Sequence, residues 1–151
     1  MIWDRCFLNA LLMTQSRMWM RTQVDTQYES ISTDGGTSWC EANPGPLISP
    51  ESPVAVARHE ASGLLAVVWN HNLKTNHTAN RTPICVAFSI DEGESWFGEQ
   101  RLDPNPDLDN EECSFSYPSI DFLRDHGFIT YYENRDRRIS LVLRRSDLQV
   151  T

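Results

Sequence analysis

Four side chains stand out because their chemical types can bind or attack an anionic substrate. Arg21 lies in the middle of a predicted strand at 17–24, and Arg81 lies at the base of another. Tyr117 lies in a short polar and aromatic segment, and Glu133 ends an apolar run. A guanidinium group binds a carboxylate through two parallel hydrogen bonds and stays charged at neutral pH. A tyrosine becomes a nucleophile when a base removes its proton, since its free pKa is about 10. Nearby arginines would also favour the phenolate.

A repeated turn sets the framework in which these side chains must be placed. The pattern S-x-D-x-G-x-S-W occupies residues 32–39 and returns 57 residues later at 89–96. An alternating run precedes each copy, at 27–31 and 84–88. In each turn the aspartate can accept backbone hydrogen bonds, and the glycine can adopt a positive φ. A repeat of this kind predicts a protein built from similar successive units.

Short alternating or apolar runs, separated by turn signals, predict strands throughout the chain and no helix. They group into three units at about 7–48, 53–103 and 113–148, which we interpret as one domain covering 1–151. In the first unit, a fourth strand is expected to start at Trp39 and to be stopped by the proline-rich residues 43–46. Leu64 to Asn70 is almost continuously apolar, as expected of a strand buried on both faces.

The repeated turn resembles the Asp-box, or BNR, repeat of sialidases and other β-propellers. The resemblance implies an all-β, β-propeller-like fold with about three blades of antiparallel four-stranded sheets. A sialidase propeller has six blades, so the chain corresponds to about half of one. Unpaired surfaces between blades would favour self-association. In that family the turn lies away from the site, so function must be argued from other residues.

The four reactive side chains also resemble the sialidase pattern, which the chain matches from about Met18 to Leu148. In the family, three arginines grip the substrate carboxylate, and two of them precede Asp-boxes, as Arg21 and Arg81 do. The resemblance makes Tyr117 the nucleophile. It makes Glu133 the residue that braces the first arginine of the cluster. The implied substrate is a sialic-acid-like glycan or another acidic sugar, for which a phenol avoids the repulsion that a carboxylate nucleophile would meet.

Other parts of the family's catalytic set have no counterpart in this sequence. The first arginine and the acid/base aspartate have no matching region. Near the position of the glutamate that serves as base to the tyrosine, Asp4 is only a poor substitute. We therefore expect an incomplete catalytic domain, related to retaining exo-α-sialidases, that does not hydrolyse sialosides alone.

Composition excludes several other classes of function. The net charge of −8 gives no general basic surface for nucleic acid. No stretch of 18 apolar residues is present, so we expect no membrane span. The four cysteines and four histidines lack metal-ligand spacing, so we expect free thiols, no metal and no cofactor. The cellular compartment is left open.

Two further interpretations of the sequence remain. The chain could be a non-catalytic Asp-box propeller module that binds glycans or proteins, or a purely structural fragment. Each reactive side chain also has an ordinary alternative role: a solvated strand position for Arg21, Arg81 and Glu133, and a core aromatic for Tyr117.

Overall fold

The computed structural model describes residues 6–11, 15–72, 81–103, 113–124, 126–136 and 138–147. Within these residues the chain forms eleven strands and no helix, arranged in three antiparallel sheets of four, four and three strands. The all-β fold predicted from the sequence is confirmed. The first sheet contains β1 (Cys6–Leu11), β2 (Gln15–Met20), β3 (Thr26–Ser32) and β4 (Asn43–Ile48).

The second and third sheets repeat this sequential order. The second sheet contains β5 (Ala55–Arg58), β6 (Leu65–Asn70), β7 (Ile84–Ser89) and β8 (Phe97–Arg101). The third contains β9 (Cys113–Leu123), β10 (His126–Arg135) and β11 (Arg138–Asp147). Every residue of β6 is buried, which agrees with the predicted two-sided burial of this strand. The first strands of the three sheets lie side by side, since β5 contacts both β1 and β9.

Apolar side chains fill the two spaces between successive sheets. Between the first and second sheets, Trp19 and Leu47 pack with Val67 and Trp69. The cluster between the second and third sheets consists of Val68, Ile84, Val86, Cys113, Phe115, Ile129 and Tyr131. Each fully buried large apolar side chain stabilises the fold by roughly 1.5–3 kcal/mol. The sheets therefore stack face to face, and strand alternation decides which side chains enter each interface.

The fourth strand of the first sheet corrects one prediction. Proline was expected to stop this strand at residues 43–46, but β4 begins at Asn43 and includes both prolines. The reason is its position at the sheet edge, where a proline removes no ladder hydrogen bond that the sheet needs. Its pairing with β3 is also irregular, with a register shift between Thr26 and Tyr28.

Both Asp-box turns close with the hydrogen bonds that their sequences predict. In the first turn, the Asp34 carboxylate accepts hydrogen bonds from the Ser38 hydroxyl at 2.6 Å and the Ser38 N–H at 2.9 Å. The Ser32 hydroxyl donates to the same carboxylate. These bonds lower the pKa of Asp34 to about 2. In the second turn, hydrogen bonds from the Ser95 hydroxyl and N–H, and to a smaller extent from the Ser89 hydroxyl, lower the pKa of Asp91 to about 2.

The second Asp-box also fastens the second sheet to the first. The Trp96 ring meets the Trp19 ring edge to face, with centroids 6.2 Å apart. Arg17 is 2% exposed, and its guanidinium donates to Glu29 at 2.8 Å and to Glu94 of the turn. A buried arginine destabilises a fold strongly when it loses its carboxylate partners. The turn is thus part of the packing between sheets as well as a connection within one.

The outward face of the third sheet is apolar and exposed. Ile139, Leu141 and Leu143 alternate along β11 and are all more than 60% exposed. Val142, on the other side of the strand, packs against the cluster between the second and third sheets. An exposed apolar stripe of this kind is typical of a surface that receives another protein surface. Self-association through such a surface stays a prediction.

Three of the cysteines have described side chains. Cys40, Cys85 and Cys113 are free thiols, as the sequence indicated. Burial raises the pKa of Cys85 to about 12, so this thiol stays protonated at neutral pH. No helix with the length and hydropathy needed to cross a membrane occurs in the described residues.

Replacing Gly93 with alanine is predicted to destabilise the fold more than the same change at the equivalent Gly36. Both glycines have a positive φ, +86° and +90°. A Cβ at Gly93 would lie 2.8 Å from Trp19 Cζ2, whereas at Gly36 the nearest contact is 3.8 Å. Urea unfolding should give a difference of about 1–3 kcal/mol between the two variants. Equal losses of stability would show that the second turn does not pack tightly on the first sheet.

The Asp-box carboxylates are predicted to make stability fall at acid pH. Their pKa values lie below the unfolded value of 3.8. The stabilisation is therefore complete above about pH 4 and disappears as pH falls toward 2. The double variant Asp34→Asn/Asp91→Asn should be less stable than wild type at pH 7, and the difference should shrink toward pH 2 in thermal melts. A difference that is constant with pH would contradict this origin.

Candidate functional site

An open cavity of about 450 Å³ lies on the face of the third sheet that points away from the second sheet, at the end opposite the Asp-box turns. One arginine comes from the connection between β6 and β7, and the other lining residues come from the third sheet. The lining residues are Arg81, Ser114, Ser116, Tyr117, Tyr132, Asn134 and Ile139. Two of the four predicted site residues, Arg81 and Tyr117, therefore share one cavity.

Arg81 is held at both its side chain and its backbone. Its Nη2 donates to the backbone oxygen of Glu51 at 3.0 Å. Its own carbonyl accepts hydrogen bonds from Asn70 Nδ2 at 2.6 Å and from the Phe115 N–H at 3.1 Å. Arg81 is half-buried and lines the cavity, so its side chain is accessible to a ligand while part of the residue is shielded from water. A positioned guanidinium of this kind is suited to a carboxylate.

Tyr117 lies at a β-bulge in an unusual backbone conformation. The pairing of β9 with β10 shifts between Thr130 and Tyr132, so two residues of β9 face one of β10. Tyr117 has a φ of +52°, in the left-handed region that costs a residue with a Cβ roughly 1–2 kcal/mol. Its side chain is 52% exposed and reaches the cavity wall. Bulges and strained residues of this type are common where a side chain must be aimed at a site.

The remaining lining residues had not been singled out from the sequence. Tyr132 meets Tyr117 edge to face, with ring centroids 6.4 Å apart. Ser114, Ser116 and Asn134 add hydroxyl and amide groups beside the two aromatic rings. Strand alternation could have found them, because Tyr132 and Asn134 share the face of β10 opposite the buried Tyr131.

Arg21 lies at the same end of the sheets but not on the cavity wall. It immediately follows β2 rather than standing in mid-strand, and its side chain is partly buried. Two residues later, Gln23 Nε2 donates to Glu51 Oε2 at 3.0 Å. Glu51 is also the residue whose backbone oxygen receives the Arg81 guanidinium. The segments that carry the two arginines are thus linked through Glu51.

Glu133 faces away from the cavity, on the side of β10 that carries Tyr131. Its carboxylate accepts a hydrogen bond from Arg135 Nε, and Arg135 Nη2 lies 3.2 Å from Asp103. The bond to Glu133 raises the pKa of the Arg135 guanidinium above its usual value. The structure therefore places Glu133 beside an arginine, but this arginine belongs to its own strand. Its predicted role of bracing another arginine stays a prediction.

Asp4 lies outside the described residues. Within the described ranges, no group of three or more histidine, cysteine, aspartate or glutamate side chains could hold a metal ion. What the cavity offers is an arginine, two tyrosines, hydroxyls and an amide, which suit recognition of an acidic, hydroxyl-rich ligand.

Comparison with protein families gives one match. A family model described as "BNR repeat-like domain" matches residues 8–130, which is most of the chain. No curated protein matches the chain at a significant level.

Solved structures share the fold at low sequence identity. The leech intramolecular trans-sialidase complexed with 2,7-anhydro-Neu5Ac aligns with a TM-score of 0.70 and 11% identity over 94% of this chain. The Trypanosoma rangeli sialidase in complex with the inhibitor DANA gives 0.68 and 13% over 93%. The NanB sialidase of Streptococcus pneumoniae gives 0.64 and 13% over 96%. The chain spans 23% of the length of each. These matches confirm the predicted propeller-like fold.

The strained backbone at Tyr117 leads to a prediction about stability. Tyr117→Gly relieves the positive φ while it removes the ring contact, so its free energy of unfolding should stay within about 1 kcal/mol of wild type. Tyr132→Gly is the matched control, because it removes the same ring contact from a strand residue without a positive φ. We expect the control to lose roughly 1–2 kcal/mol more in urea unfolding. Equal losses would mean that Tyr117 is not strained.

Proposed function

Because the chain belongs to the BNR repeat-like domain family and folds as blades of a sialidase-type propeller, we propose that its cavity binds a sialic-acid-like glycan. Arg81, assisted by Arg21, would bind the carboxylate of the sugar. Tyr117 would be the nucleophile of a retaining sialidase-type glycoside hydrolase. The family and fold alone do not decide this function, so the support comes from the cavity itself.

The observation that carries the proposal is the placement of Tyr117. A tyrosine in a left-handed conformation at a bulge is disfavoured by its own backbone, yet its ring is half-exposed on the wall that Arg81 shares. A core aromatic would be buried, and a residue that serves only a turn would be glycine or asparagine. The strain is understandable if the phenol oxygen must be presented to a ligand held by the arginine.

The chemical types suit a sugar that carries a carboxylate at its anomeric carbon. A carboxylate nucleophile would be repelled by such a substrate, whereas a neutral phenol is not, and sialidases use a tyrosine for this reason. In the proposed step the Tyr117 oxygen bonds to the anomeric carbon as the glycosidic bond breaks. Water later releases the sugar with its original configuration. A base must take the phenol proton, and a guanidinium beside the ring would stabilise the phenolate.

Among the described residues, the cavity lining includes no carboxylic acid that could protonate the leaving group. General acid catalysis typically contributes about 10²–10⁴-fold to such reactions. We therefore propose that the 151-residue chain binds the sugar but does not turn over sialosides by itself. Binding and turnover can be measured separately on the same preparation.

Binding of N-acetylneuraminic acid, measured by calorimetry or NMR titration, is predicted to exceed binding of its methyl ester. The ester has no charge for the guanidinium, so the preference should be roughly tenfold or more. Arg81→Met should abolish the preference. Arg124→Met is the matched control, since it removes the same charge from the β9–β10 turn at the opposite end of the sheets.

Two outcomes would contradict the proposal. Equal affinity of the wild type for the acid and the ester would show that the cavity does not recognise the carboxylate. Clear turnover of a fluorogenic sialoside, abolished by Tyr117→Phe, would overturn the expectation that the chain is inactive alone while supporting the role of the tyrosine. Binding of uncharged glycans without any carboxylate preference would instead favour a non-catalytic binding module.

A further inference from the structure

One buried amide connects the two walls of the cavity. Asn70 is the last residue of β6 and is 0% exposed. Its Nδ2 donates to the Arg81 carbonyl at 2.6 Å and to the Phe115 carbonyl at 3.3 Å. Phe115 belongs to β9, two residues before Tyr117, and its own N–H donates to the Arg81 carbonyl. The Asn70 side chain and the Phe115 N–H together hold the arginine segment against the strand of the tyrosine.

The surroundings of Asn70 make an amide an unfavourable choice for stability alone. The preceding residues of β6 are Leu, Ala, Val, Val and Trp, all buried. Asn70 Oδ1 is buried and has no hydrogen-bond partner among the described residues. An unsatisfied buried polar atom costs about 1–3 kcal/mol, and an apolar residue of similar shape would avoid that cost. The amide must therefore supply something that a leucine would not.

We propose that Asn70 is a positioning residue for the cavity. It fixes the Arg81 backbone relative to β9, and so sets the separation between the Arg81 guanidinium and the Tyr117 phenol. The other anchor of Arg81, the Glu51 carbonyl, holds the end of the side chain. With both ends fixed, the guanidinium is held in place before a ligand arrives, which reduces the entropy lost on binding. This inference rests on the proposed binding of a carboxylate at Arg81.

Asn70→Leu separates positioning from stability. Leucine is close to asparagine in shape but has no donor, and it also removes the orphaned Oδ1. Removing the orphaned Oδ1 favours the folded state, whereas removing the donor to the Phe115 carbonyl opposes it, so the urea midpoint should change little. Its preference for N-acetylneuraminic acid over the methyl ester should nevertheless fall roughly tenfold, because the Arg81 segment is no longer fixed. A residue with only a structural role would change stability or weaken both ligands equally.

Two further variants complete the binding test. In Asn70→Leu/Arg81→Met, the preference should be no lower than in Arg81→Met alone, because both changes act through the same guanidinium. Asn43→Leu is the matched control: the Asn43 amide also donates to a backbone carbonyl, that of Glu41, but at the start of β4 on the Asp-box side. It should keep the wild-type preference. Retention of that preference in Asn70→Leu would overturn the inference.

A readout without ligand distinguishes failure of the inference from failure of the proposed function. Hydrogen exchange of the Phe115 N–H should accelerate about tenfold or more in Asn70→Leu, while exchange of the β6–β7 ladder amides stays unchanged. The Arg81 Nε–H NMR signal should also shift. If wild type shows no preference for the acid, the proposed function has failed, and these signals alone decide whether Asn70 positions Arg81. Unchanged exchange and an unchanged Arg81 signal would overturn the inference.

Discussion

Apolar side chains packed between the second and third sheets hold the two walls of the cavity together. Val68 and Val86 on one side meet Phe115 and Ile129 on the other, and all four are buried. Arg81 enters from the connection that follows β6, whereas Tyr117 belongs to the third sheet, so neither sheet could form the cavity alone. Dense packing of this interface leaves little freedom for one sheet to slide against the other. The packing therefore fixes β9 relative to the second sheet, and hydrogen bonds to the Arg81 carbonyl fix the segment that carries the guanidinium.

The two ends of each sheet serve different purposes. At one end the Asp-box turns close tightly, and the second turn seals the space between the first and second sheets through Trp96 and Arg17. At the other end, the β2–β3 connection carries Arg21 and the longer β6–β7 connection carries Arg81. Strained or polar residues can be tolerated at this end, because the packing of the rest of each sheet already holds the strands in place. The left-handed Tyr117 and the orphaned amide oxygen of Asn70 are both found in the sheet region that forms the cavity.

Much of the fold could be predicted from the sequence, because its main signals are local. The Asp-box residues determine a turn through their own hydrogen bonds, and the alternating runs around them determine the strands. The error at β4 arose because a strand tolerates proline only at the edge of a sheet, and a single sequence does not show which strands lie at an edge. Arg81 and Tyr117 line one cavity, while their roles stay predictions, and the direction of Glu133 depends on the strand register. The bulge that shifts this register occurs at Tyr117, a residue without a typical turn signal.

The place where an acidic sugar binds is the most direct test of the proposed function. Backbone and arginine side-chain NMR signals, followed during titration with N-acetylneuraminic acid, would locate the site residue by residue. We predict that the largest shifts occur at Arg81, Ser116, Tyr117 and Asn134, with little change in the Asp-box turns. Shifts centred on the Asp-box end of the sheets, or spread evenly over the chain, would contradict it.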